Sequence, residues 1–239
     1  RNPLAPVRNS LQILRMARHD PAIMERALGT MERHIAHMVR LIDDLVDVSR
    51  ISRGIIELRR ERVDLGAVLN SAVEASRPLM DQLGHAFNLK LPGEPVYVEG
   101  DAVRLGQVFS NLLNNAAKYT GRGGRIHLTA TRRGGEVIVR VEDNGVGVPP
   151  AMLSRIFDMF AQVDRSLDRY SGGLGIGLSI VKRLVEMHEG SVEARSEGSG
   201  RGTEVIVRLP ISMIPGDSRR LPEPKPEGAE SVQRRILIA

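Results

Sequence analysis

The chain has 239 residues, a formal charge of +5 and no cysteine; it is long enough to bury a core unaided, and disulfides and thiolate metal sites are excluded. No uninterrupted apolar run approaches the ~20 residues that span a bilayer, which predicts a soluble, intracellular segment. Nucleic acid is not the expected partner: arginines are interleaved with acids, and four phenylalanines, three tyrosines and no tryptophan leave little for base stacking.

Leu4, Val7, Leu11 and Leu14 stand at helical spacing, predicting a first helix that ends near His19. Asp20-Pro21 supplies an N-cap and an N1 proline for a second helix. Its apolar positions Met24, Leu28, Met31, Ile35, Met38, Ile42 and Leu45 alternate steps of four and three, the heptad pattern of a packed helix. Two helices alone leave that seam open, which predicts a four-helix bundle built by two chains, against the alternative of a hairpin folded onto its own chain. His34 and His37 share a helical face but have no third ligand nearby, so they read as solvated or packed and not as a zinc site.

Ser52-Arg-Gly54 breaks the helix, and strands are predicted at 55–58, 86–91 and 96–98. Asp64 caps a helix to about Leu83, and Asp101 caps one over 102–119. Residues 125–131 and 136–142 alternate around Gly134-Gly135 as a hairpin. A short helix at 151–157, a polar loop at 160–173, a helix at 176–188 and a hairpin of 191–196 with 203–209 complete an α+β pattern: a helical hairpin, then an α/β sandwich with a mixed sheet. Past Pro210 the chain is rich in proline and acids and reads as a linker. The expected division is 1–52 helical hairpin, 53–211 sandwich, 212–233 linker and 234–239 the start of another domain. Arg1 opens inside a helical pattern and Ile236-Leu-Ile-Ala239 reads as a buried strand, so the sequence is expected to be a fragment.

Three clusters carry chemistry. Asn111 and Asn115 lie one turn apart on a helix flanked by Leu112, Leu113, Ala116 and Ala117, and buried amides there need partners such as a metal or phosphate. Asp143-Asn-Gly145-Val-Gly147 follows an alternating strand; a carboxylate beside glycines can accept from a base amine, although the same residues also make a plain turn. Gly173-Leu-Gly-Ile-Gly177 opens a helix, where bare amides and the dipole favour an anion. Neither a Walker A sequence nor a G-x-G-x-x-G after the first strand is present.

In that order, residues 101–120, 143–147, 157–163 and 172–178 resemble the N, G1, F and G2 boxes of sensor histidine kinases, whose ATP-binding domain has the Bergerat fold. Residues 1–50 resemble their dimerisation and histidine-phosphotransfer hairpin, with Arg1-Asn-Pro-Leu-Ala-Pro6 matching the tail of the H box. The resemblance implies ATP and Mg²⁺ as cofactors, a homodimer, and a response-regulator receiver domain as partner. It implies that Asp143 bonds the adenine amino group, Gly145 and Gly147 line the base pocket, and Asn115 holds Mg²⁺. Asn111, Lys118 and Tyr119 would surround phosphates and metal; Gly173, Gly175, Gly177 and Leu178 would close the phosphate end. Residues 160–172 would form the ATP lid, with Phe157 and Phe160 packed at its base and Gln162 where relatives often carry arginine. Asn2 would position water for phosphatase action, and the phosphoacceptor histidine would fall just before Arg1. Location would be cytoplasmic, a membrane entering only through a sensor region upstream. The resemblance also covers ATPase machines, but those place a water-activating glutamate where Asn111 stands, and an amide is a poor base. A noncatalytic dimeric docking module is the other alternative. Residues 234–239 would begin the kinase's own receiver domain.

Overall fold

The computed structural model describes residues 4–16, 20–52, 57–161 and 175–212. Helices α1 (Ala5–Met16) and α2 (Pro21–Ser52) form the expected hairpin. Asp20 caps α2 as its sequence requires, Oδ1 accepting from Ala22 N at 3.0 Å and Ile23 N at 3.1 Å. Ala27 and Ser10 are buried in the hairpin, while Leu28, Ile35, Ile42 and Leu45 of the heptad seam are 47, 47, 61 and 54% exposed. One chain therefore leaves the seam open, as two-helix geometry demands.

The second part is a sandwich. Strands β2 (Ala86–Lys90), β4 (Arg125–Arg133), β5 (Glu136–Asp143), β7 (Thr203–Pro210) and β6 (Ser191–Arg195) make a five-stranded sheet in the order β2-β4-β5-β7-β6. Only the β2–β4 pair is parallel, so the sheet is mixed. Ile126, Leu128, Val137, Val139, Val141, Val207 and Leu209 alternate onto one face, against the apolar stripes of α3 (Leu65–Leu83), α4 (Ala102–Tyr119) and α6 (Gly177–Met187). Gly134 turns the β4–β5 hairpin with φ 62°. A separate antiparallel ribbon pairs β1 (Glu61–Asp64) with β3 (Tyr97–Gly100).

Three expectations shift. The strand predicted at 55–58 forms instead at Glu61–Asp64; residues 55 and 56 lie outside the described residues, and Glu57 and Leu58 are not in a strand. Only Val63 of that polar strand points inward, so the sequence carries no alternation to read. The strand expected at 96–98 runs Tyr97–Gly100. The helix expected over 151–157 is regular only at α5 (Pro150–Leu153). Of the expected linker, 212–233, and the expected final strand, 234–239, all but Ser212 lies outside the described residues.

Helices α4 and α6 are tied together at their outer ends. The Asp101 carboxylate caps α4 through Oδ1, accepting from Val103 N at 3.0 Å and Arg104 N at 3.1 Å, and its Oδ2 accepts from Arg59 N at 3.1 Å. Asp101 N donates to Nε2 of His188, just past the end of α6, at 3.0 Å, so the ring is neutral with its proton on Nδ1, 2.7 Å from Leu184 O. Burial holds His188 below the usual histidine range and keeps this acceptor available. Gly100 makes room for it, since a β-carbon there would lie 2.9 Å from Nε2.

Candidate nucleotide site

The asparagine helix forms one wall of the candidate site. Asn111, Asn114, Asn115, Lys118 and Tyr119 are half-buried, and the other face of α4 enters the core through Leu112, Leu113, Ala116 and Ala117. A β-carbon built on Gly177, the first residue of α6, would lie 4.0 Å from Asn111 Cγ, so this helix start faces Asn111. Asn111 Nδ2 is buried with no hydrogen-bond partner among the described residues. Among the described residues no side chain caps α6; Ser179 Oγ donates to Ile176 O at 2.7 Å. An orphaned amide donor opposite an uncapped helix start is suited to phosphate oxygens.

At the far end of α4, about 12 Å along its axis by helical rise, the 143–148 loop folds against Tyr119. Val146 N donates to Tyr119 O at 3.0 Å, and a β-carbon at Gly145 would collide with that same oxygen. A β-carbon at Gly147, where φ is 69°, would collide with Gly198 O of the β6–β7 turn. Both glycines are thus required by packing before any ligand is considered. Asn144 Oδ1 accepts from Arg125 N at 2.7 Å.

Asp143 ends β5, and its Oδ1 accepts from Gly145 N at 2.8 Å. Burial raises its pKa; the amides of Gly145 and Thr203 pull the other way, and nearby Glu142 adds to the rise. The result is a half-buried, desolvated acceptor beside bare backbone. Lys118 Nζ lies 3.0 Å from Tyr119 Oη and 4.6 Å from the centre of its ring, so the two are held as a pair.

Gly175 has φ 69°, and its carbonyl accepts from Phe160 N at 2.9 Å, which holds together the two ends of segment 162–174. Phe157 is half-buried and Phe160 is 64% exposed with φ 63°, and the lid they are expected to pack against lies outside the described residues. The Leu178 side chain packs against the core, so what it offers a phosphate is its backbone amide. Asn2, Gln162, Gly173 and the lid from 162 onward lie outside the described residues. Sequence reasoning missed Ser196, whose hydroxyl joins this loop to the β6–β7 turn, because nothing in its local pattern marks it.

The residues present fit a hydrated divalent cation shared with phosphates. The described residues hold no group of three or more His, Cys, Asp or Glu side chains suited to a metal, so a cation here would take amide oxygens, phosphates and water, the manner of Mg²⁺.

Residues 100–213 match the family model described as Histidine kinase-, DNA gyrase B-, and HSP90-like ATPase, and residues 1–54 match His Kinase A (phospho-acceptor) domain. The chain is 35% identical over 211 residues to the probable sensor histidine kinase TcrY of Mycobacterium tuberculosis, spanning 88% of this chain and 43% of that protein. The chain belongs to the sensor histidine kinases. It is also 32% identical over 213 residues to the alginate biosynthesis sensor protein KinB of Pseudomonas aeruginosa, across 88% of this chain and 35% of that one. This histidine kinase chain therefore spans less than half the length of either curated relative. Full-length ShkA, solved in complex with AMPPNP, matches at a TM-score of 0.68 and 27% identity, covering 89% of this chain and 44% of that one. The mycobacterial sensor histidine kinase MprB matches at a TM-score of 0.57 and 28% identity, over 65% of this chain and 99% of that chain. No helix of the described residues is long and apolar enough to cross a membrane.

Proposed function

We propose that residues 53–211 bind ATP with Mg²⁺ and that residues 1–52 dimerise and belong to the phosphotransfer hairpin of a two-component kinase, with 212–233 a linker and 234–239 the start of a receiver domain. The observation that carries the reading is a pair of groups at the two ends of α4: the desolvated carboxylate of Asp143, which keeps acceptor capacity beyond its bond from Gly145 N, and the orphaned Asn111 amide facing α6. One wants a donor and the other an acceptor, as the base amine and phosphates of ATP supply.

Asp143 would take the adenine amine, with Gly145 and Gly147 leaving the loop backbone open beside the base. Asn115 would hold the metal, with Asn111, Lys118 and Tyr119 around the phosphates and Gly173, Gly175, Gly177 and Leu178 offering amides. When bound, Mg²⁺ would neutralise phosphate charge. The protein's own contribution is positioning and exclusion of water, which phosphoryl transfer mostly requires. As the bond from the γ-phosphorus to a hairpin imidazole nitrogen forms, the bond to the bridging oxygen breaks and its electron pair leaves on ADP. The phosphoryl group would then pass to an aspartate of a response regulator, and Asn2 would position water for phosphatase action on that partner, which releases the phosphoryl group as inorganic phosphate. The parent would be cytoplasmic or the cytoplasmic portion of a membrane-bound sensor.

Calorimetric titration of this chain tests the nucleotide reading. One ATP should bind per chain with Mg²⁺ present and much more weakly in excess chelator, and no heat of binding at millimolar ATP with Mg²⁺ would overturn it. The dimer has its own check. Ile35→Asp places a charge in the open seam, so sedimentation should shift from twice the chain mass toward 26.3 kDa. Equal sedimentation of both proteins would show that the seam is not the interface.

A further inference from the structure

We propose that Ser196 is a positioning residue that sets base selectivity, by fixing the loop that carries Asp143 to the β6–β7 turn; the proposal rests on the nucleotide reading above. Ser196 follows β6 directly. A hydroxyl has one proton and two lone pairs, and all three are engaged. Oγ donates to Gly202 O at 2.6 Å, accepts from Val148 N at 3.0 Å and accepts from Gly198 N at 3.3 Å. Gly198 O also lies 3.3 Å away, but the single proton goes to the shorter contact with Gly202.

These bonds join three separate points: the far end of the 143–148 loop and the entry and exit of the turn. The turn then grips the loop along its length. Gly200 N donates to Val146 O at 2.6 Å and Gly202 N to Gly145 O at 3.1 Å. A β-carbon at Gly202 would collide with Asp143 O, so the turn lies directly against the backbone of the base-recognising residue. Between the loop and the turn proper, Ser196 supplies the side-chain bonds and the other described contacts are backbone to backbone; just past the turn, the Thr203 amide reaches the Asp143 carboxylate.

Recognition of an exocyclic amine by one carboxylate depends on where that carboxylate stands, because hydrogen bonds weaken steeply with poor angle. Without the Ser196 hydroxyl, Val148 N and Gly202 O lose their partner, and the loop gains freedom where Asp143 must be still. Discrimination between a base with an amine and one with a carbonyl at that position should suffer, while phosphate contacts on α4 and α6 remain.

The experiment is titration of this chain with Mg·ATP and Mg·ITP, the second presenting a carbonyl in place of the amine. Thermal unfolding of each variant without nucleotide sets a temperature at which all are folded. The wild type should prefer ATP. Ser196→Ala should weaken ATP about tenfold, on the order of one lost hydrogen bond, and leave ITP within about twofold, so that the preference collapses. Ser196→Thr keeps the hydroxyl and should hold the preference within about threefold. An unchanged ATP-to-ITP ratio in Ser196→Ala, including equal weakening of both, would overturn the proposal, as would a Thr variant that behaves like Ala. A wild type that binds neither nucleotide would instead remove the nucleotide reading and this proposal with it, and one that binds both alike would overturn base selectivity, and so this proposal, while leaving nucleotide binding in place.

Discussion

Asp143→Asn should weaken ATP binding by about 10- to 150-fold, the factor that corresponds to losing a hydrogen bond to a charged group worth about 1.5–3 kcal/mol. Shape is conserved by the change, and the loss follows from the existing bond. Oδ1 already accepts from Gly145 N at 2.8 Å, so an asparagine that keeps this bond turns its amide nitrogen toward the base, where donor meets donor. Flipped, it satisfies the base and leaves Gly145 N facing a donor. Neither orientation serves both partners. Calorimetry with unchanged ATP affinity in the variant would remove Asp143 from base recognition.

The same substitution should not cost stability in the nucleotide-free protein. Burial raises the Asp143 pKa above its ordinary value, so the folded state holds a proton that the unfolded chain has already released. Stability from this group is therefore greatest below the unfolded pKa and declines as pH rises through the folded one. At neutral pH the ionised carboxylate is a burden that asparagine lacks, and melting temperature should be equal or higher in the variant. Affinity for ATP runs in the opposite sense, because the charge-assisted bond fades as pH falls through the raised pKa. The variant should show no such fall, which separates Asp143 from the titration of the phosphates common to both proteins.

The elements with strong local signals were legible in the sequence. Asp20, Asp64 and Asp101 each cap the helix their spacing announces, and the β4–β5 hairpin turns on its glycine pair. The ribbon strand Glu61–Asp64 was not legible, because it exists only through pairing with β3 and buries a single residue. At the site, Asn111 and Gly177 could be suspected separately, but their approach across two helices is a tertiary fact. Leu178 reads as part of a glycine-rich loop, yet its side chain serves the core. Ser196 and His188 were invisible for a common reason: each acts through backbone groups 48 and 87 residues away, and sequence shows no trace of a partner that is only an N–H.

Gly145→Ala should also abolish tight ATP binding, but by a different route and with the opposite effect on stability. Its φ is not in the left-handed region, so alanine could adopt the backbone; the obstacle is space. A β-carbon would collide with Tyr119 O and stand 2.8 Å from Asp143 Oδ1. The first contact is with the backbone of a helix end that cannot rotate away, and that same oxygen accepts from Val146 N at 3.0 Å. The loop must lift from α4, which breaks this bond and carries Asp143 out of place. Overpacking of this kind costs about 1–3 kcal/mol, so the nucleotide-free variant should melt several degrees below the wild type while Asp143→Asn does not. Sedimentation should remain that of the parent chain, since the hairpin is untouched. An alanine variant with wild-type melting temperature and ATP affinity would show that the seat of the loop on Tyr119 has slack, and that Gly145 is not required by packing.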